Sequence, residues 1–195
     1  MHSQTTNTNP FSGRESRIYL TGFMGSGKTT IGPILANTIG YDFIDVDRAI
    51  VLQTGKSVEQ IFRDEGEARF RDLEKEMVAS MKSKHRLVIS LGGGTISDLE
   101  ALNDIKRSGI LIYLKAAPEQ IFERLHHKTD RPTLKDAQGD RLADEQLRSR
   151  IQELYRMREP LYLQADIVVR TDERRVGLTV DHIVKKLSPI LKTLP

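Results

Sequence analysis

A chain of 195 residues, 38% hydrophobic and 29% charged, suits one globular domain, and the absence of cysteine excludes disulfides and thiolate chemistry. The net charge of +3 fits an anionic partner, but basic and acidic residues interleave, as in RDLEKEM (71–77), and no Lys/Arg run makes a nucleic-acid stripe. No apolar stretch approaches bilayer length, and with tryptophan absent and aromatics sparse the core is expected to be aliphatic.

Residues 1–16 are polar and lack the apolar core of a secretory signal, which predicts a disordered tail on a cytoplasmic protein, with a single domain over 17–195. Five short apolar runs follow: RIYLTGF (17–23), DFIDVD (42–47), RLVISLGG (86–93), GILIYLK (109–115) and DIVVRT (166–171). Their apolar character is nearly continuous, as in strands covered on both faces. Helical patterns lie between them. Residues 57–82 open with Ser57 and Gln60 at capping-box spacing, and 178–194 carry Val180, Ile183, Val184 and Leu187 at helical spacing. This alternation predicts a three-layer α/β/α fold with a five-stranded parallel sheet, its ligands held at the strand C-termini. Residues 127–141, polar and with Pro132 and Gly139, read as a lid or a disordered segment.

GFMGSGKT (22–29) matches the phosphate-binding pattern G-x-x-x-x-G-K-[ST] between a predicted strand and a predicted helix. Its amides and the helix N-terminus would attract phosphate, Lys28 would reach the β and γ phosphates, and the Thr29 hydroxyl would ligate Mg²⁺. Pro33 crowds the carbonyl of Thr29, so a kink or a loosened first turn is expected there.

A phosphoryl acceptor needs a carboxylate to orient or deprotonate its hydroxyl. Asp45 and Asp47 stand two apart at the end of a predicted strand, on one side of it, although Asp47 could instead cap the next helix. Arg71 is either solvated or an i,i+3 partner of Glu74, and Arg158 ends a helix just before Pro160. Guanidinium groups suit bidentate carboxylate recognition. The GGG run (92–94) marks a close approach of ligand to backbone, or a flexible turn. Phe62 and Phe70 could wall a ring or fill the core, and His126 and His127 read as exposed helix-end residues rather than metal ligands.

The ordered set GFMGSGKTTIG (22–32), DVD (45–47), GEARFRDLE (66–74), LGGGT (91–95), RP (131–132) and REPLY (158–162) resembles shikimate kinase, a family of the P-loop nucleoside monophosphate kinase class. The similarity runs from about residue 17 to the C-terminus. It implies transfer of the γ-phosphate of ATP to the 3-hydroxyl of shikimate, with Mg²⁺, in aromatic amino-acid biosynthesis. It further implies that Gly25, Ser26, Gly27, Lys28, Thr29 and Thr30 bind ATP, with Arg124 against the adenine and 170–173 lining its other side. Arg131 would fold over the γ-phosphate from a mobile lid at about 127–141, and the catalytic set would be Asp47, Lys28 and Arg131. Asp45 would join Thr29 at the metal through a water, while Asp47, Arg71, Gly93 and Arg158 would bind shikimate within helices at about 47–84 and beyond, Glu74 holding Arg71. A cytoplasmic monomer without nucleic-acid or membrane partners is the matching expectation. A gluconate kinase-like enzyme would share Lys28, Thr29 and the lid but not the arginine pair with GGG, and a metabolite-sensing P-loop module without turnover is a further alternative.

Overall fold

The structure, a computed structural model, describes residues 13–14, 16–126, 134, 142–172 and 175–191. All five apolar runs form strands: β1 (Arg17–Thr21), β2 (Asp42–Asp45), β3 (Leu87–Ser90), β4 (Ile110–Lys115) and β5 (Ile167–Arg170). They pair in parallel in the order β2-β3-β1-β4-β5. The helices are α1 (Lys28–Ile39), α2 (Val46–Thr54), α3 (Val58–Met81), α4 (Leu99–Ser108), α5 (Pro118–Leu125), α6 (Asp144–Tyr162) and α7 (Val176–Leu191).

The continuous apolar runs are explained by the two-residue period of a strand. Ile18 and Leu20 of β1 and Ile110, Ile112 and Leu114 of β4 pack with Leu35 of α1 and with Ile183 and Leu187 of α7. The alternate residues, Tyr19, Leu111 and Tyr113, pack on the other face with Ile50, Phe70, Leu73 and Leu102. A third cluster joins Phe23 to Ile121 and Leu125 of α5 and Ile151 and Leu154 of α6. Each such buried aliphatic side chain contributes roughly 2 kcal/mol. The core is less purely aliphatic than composition suggests. All five tyrosines are buried, and four of them, Tyr19, Tyr113, Tyr155 and Tyr162, find a hydroxyl partner inside the protein.

Several local expectations need correction. The helical stretch from 57 does open with the Ser57–Gln60 capping box, but α3 is broken at Gly66, where φ is 85° and ψ is 167°. α1 continues unbroken past Pro33, whose ring is exposed, so the expected kink is absent. The carbonyl that Pro33 leaves without a helical donor belongs to Thr29, an exposed residue that water can reach. α6 runs through Pro160 to Tyr162, with Leu163 N–H donating to the Glu159 carbonyl, so Arg158 lies within the helix rather than at its end. Arg14, assigned to the tail, is fastened to the body: it donates to the Gly109 carbonyl and pairs with Asp166 at 2.5 Å. The other residues of 1–16, apart from Gly13 and Ser16, lie outside the described residues. Among the described residues no helix is long and apolar enough to cross a membrane.

Candidate active site at the strand C-termini

β1 sits in the centre of the sheet and its C-terminal end feeds the 22–27 loop into α1. Gly22 has φ 138°, and a Cβ there would stand 2.5 Å from the Leu114 carbonyl of neighbouring β4. Gly27, the residue before α1, is left-handed with φ 103°. α2, α3 and α4 are capped by side-chain oxygens of Asp45, Ser57 and Asp98, whereas α1 has no side-chain cap and no acidic residue in its first turn. Its first amides are therefore left for another acceptor, and the dipole favours an anion. The buried Lys28 Nζ donates to the carbonyls of Gly22 (2.7 Å) and Phe23 (3.2 Å), lying back across the loop.

The far side of the loop is held by the ends of β5 and α5. Thr171 Oγ1 donates to the Ser26 carbonyl (3.1 Å), and Arg124 bridges the carbonyls of Gly25 (2.9 Å) and Thr171 (3.2 Å). Ser26 Oγ is buried with no hydrogen-bond partner among the described residues. Lys28, Thr29, Thr30, Asp45, Asp47 and Arg124 all face a cleft of about 730 Å³. Asp45, not Asp47, caps α2: its Oδ1 accepts from the Arg48 N–H at 3.1 Å. Asp47 lies in the first turn of α2, because β2 ends where its pairing with β3 ends, at Asp45 opposite Ser90. The two carboxylates thus reach one cleft from a cap and a helix turn rather than from one side of a strand. With the Thr29 hydroxyl they form a set of hard oxygen donors, the kind that suits Mg²⁺.

The 92–94 turn after β3 is where the remaining charged groups converge. None of its glycines has a left-handed φ, so backbone strain does not account for them. A Cβ at Gly92 would collide with the Glu74 carboxylate and stand 2.8 Å from Asp47 Oδ1. One at Gly94 would stand 2.5 Å from the Arg71 guanidinium, whereas at Gly93 the nearest atoms are at ordinary contact distance, 3.5 Å or more. The side chains of the protein itself occupy the space at Gly92 and Gly94. The Gly93 carbonyl accepts from Arg158 at 2.9 Å and also from the Tyr162 hydroxyl. Burial pushes the Tyr162 phenol up to about 12, against the opposing charge of Arg158.

Arg71 forms the expected i,i+3 pair with Glu74, at 2.5 Å. Glu74, 1% exposed, also accepts from the Thr95 hydroxyl at 2.6 Å. Burial opposes the Arg71 charge, but the charge of Glu74 and the hydrogen bonds that Arg71 donates to Glu67 and Glu74 outweigh it, so its pKa lies above the usual guanidinium value. Phe70 is in the core and Phe62 packs against it, ring centroids 5.1 Å apart, which favours the packing reading over a ring wall. His126 ends α5 as expected but is half-buried and stacks on Phe122. Arg131, His127, Glu173 and, except for Leu134, the lid at 127–141 lie outside the described residues. Sequence reasoning did not single out Thr95, Tyr162 or Thr171, whose hydroxyls hold the site together.

A phosphate loop on the central parallel strand, an uncapped helix behind it and carboxylates across the cleft define a P-loop phosphotransferase. A family model for shikimate kinase matches residues 24–188, and the chain belongs to the shikimate kinase family, whose members are ATP-dependent kinases. It is 47% identical over 172 residues to a shikimate kinase of Chlorobaculum parvum, covering 88% of this chain and 92% of that one. A crystal structure of shikimate kinase from Bacteroides thetaiotaomicron superposes with a TM-score of 0.80 at 33% identity, over 89% of this chain and 98% of the other. Shikimate kinase from Acinetobacter baumannii in complex with shikimate gives 0.79 at 31% identity, over 91% and 96%.

Proposed function

We propose that this chain transfers the γ-phosphate of ATP to the 3-hydroxyl of shikimate, giving shikimate 3-phosphate and ADP, as a cytoplasmic monomer. One observation carries the reading: Asp47, Arg71 and Arg158 meet at the 92–94 turn, beside the cleft that Lys28 and Thr29 enter from the other side.

The loop amides of Gly25, Ser26 and Gly27 and the first turn of α1, with Thr29 and Thr30, cradle the phosphates. Lys28 exchanges the Gly22 and Phe23 carbonyls for the β and γ oxygens, spreading the charge that develops during transfer. Arg124 lies against the adenine, and Arg131 supplies a further cation over the γ-phosphate. Arg71 and Arg158 grip the shikimate carboxylate, and the Gly93 amide donates to the substrate. Asp47 orients the acceptor hydroxyl and takes up its proton as the oxygen–phosphorus bond forms. Thr29 directly, and Asp45 through water, would hold Mg²⁺, which supplies Lewis-acid neutralisation of the phosphate oxygens.

A coupled assay of ADP release tests the whole scheme. Wild-type turnover is expected to require both shikimate and Mg²⁺, gluconate is expected not to substitute, and Asp47→Asn should lose roughly 10²–10⁴-fold in kcat. Full activity in Asp47→Asn would overturn the assignment of the base. ADP release indifferent to shikimate would overturn the substrate.

A further inference from the structure

Arg71 has two carboxylate partners of unequal character. Glu74 is 1% exposed, is held by the Thr95 hydroxyl at 2.6 Å and lies against Gly92, so nothing on its side of the guanidinium can move cheaply. Glu67, one turn earlier, has a side chain 57% exposed. A single oxygen of Glu67 accepts from both Nε (3.2 Å) and one terminal nitrogen (2.7 Å) of Arg71. Those two nitrogens form a fork that a planar carboxylate takes with two parallel hydrogen bonds. Glu67 also follows Gly66, where the helix is broken and a Cβ would find nothing within 4 Å, so the backbone beside it has room to adjust.

We propose that Glu67 is an internal competitor for the substrate carboxylate, occupying the fork of Arg71 until substrate displaces it. The inference rests on Arg71 as a carboxylate clamp and sets the affinity of that same site. Two carboxylates cannot share one fork without like-charge repulsion. The Glu67 pair is exposed and weak, so it yields, while the buried Glu74 keeps the guanidinium aimed at the 94 turn. Substrate affinity is then reduced by the fraction of molecules in which Glu67 holds the fork.

Steady-state kinetics with shikimate, paired with calorimetric titration of shikimate onto the whole protein, test this. Glu67→Gln is expected to lower both the KM for shikimate and the dissociation constant about two- to fivefold with kcat unchanged. An unchanged or raised KM overturns the proposal, a raised one assigning Glu67 to orienting Arg71 instead. Removing a negative charge could also act at a distance, and Arg71→Met separates the two. In that background Glu67→Gln should leave kcat/KM unaltered, and a persisting two- to fivefold gain would sink the competition in favour of a field effect. If Arg71→Met itself leaves KM at the wild-type value, the carboxylate clamp fails and this inference falls with it. If Arg71→Met raises KM steeply while Glu67→Gln does nothing, only the competitor fails.

Discussion

Gly92 has no side chain because two carboxylates, those of Glu74 and Asp47, already fill the place a Cβ would take. Its neighbour Gly93 has ordinary contacts there, so adjacent, chemically identical residues should respond differently to the same substitution. Gly92→Ala is expected to cost about 1–3 kcal/mol by overpacking and to reduce kcat/KM. Gly93→Ala should stay within about 0.5 kcal/mol of wild type in stability. Chemical denaturation of both variants decides it, and equal midpoint shifts would contradict the argument. At this scale the sequence was partly readable. The i,i+3 spacing of Arg71 and Glu74 foretold their pair, but nothing local announced that Thr95 completes it from 21 residues away.

Among the elements, α3 matters most to the site because its second half carries Arg71 and Glu74. That half is re-aimed at Gly66, whose φ of 85° lies where a side chain is strained although space is available. Gly66→Ala should therefore cost about 1–3 kcal/mol and raise the KM for shikimate more than that for ATP. Equal changes in the two KM values would show that α3 does not aim the substrate side separately. The contrast among helix starts makes the complementary point. α2, α3 and α4 each satisfy a first-turn amide with Asp45, Ser57 or Asp98; the P-loop helix α1 does not, and unlike α5 and α6, which also lack a side-chain cap, it has no acidic residue in its first turn. The start without a side-chain cap was legible in GFMGSGKT, since the glycine before Lys28 has no side chain to accept from the first amides. The transfer of the α2 cap from Asp47 to Asp45 was not, because β2 stops where its partner strand β3 stops.

For the whole molecule, the walls of the anion site are tied to the protein's own carbonyls, Lys28 to those of Gly22 and Phe23 and Arg124 to those of Gly25 and Thr171. ATP at a hundred times its dissociation constant should stabilise the fold by about 2.7 kcal/mol. In a chain of 195 residues this corresponds to a Tm increase of roughly 5–11 °C in a thermal melt. Lys28→Met should show a lower Tm without ATP and a much smaller rise with it. An undiminished rise would remove Lys28 from the phosphate site.

The five strands and the phosphate loop were determined by the sequence alone, since each depends on neighbours in the chain: apolar runs covered on both faces, and glycines followed by a lysine and a helix. The tertiary structure decided which groups meet. Asp47 from α2, Arg71 and Glu74 from α3 and Arg158 from within α6 come together only because β3 lies between β2 and β1 and delivers the 92–94 turn beneath them. The resemblance named these residues as one site, but Pro160 read locally ended the helix at Arg158, whereas α6 tolerates the missing N–H and continues to Tyr162. Contacts of that kind depend on the register of distant strands and on the packing of whole layers, which no local pattern encodes.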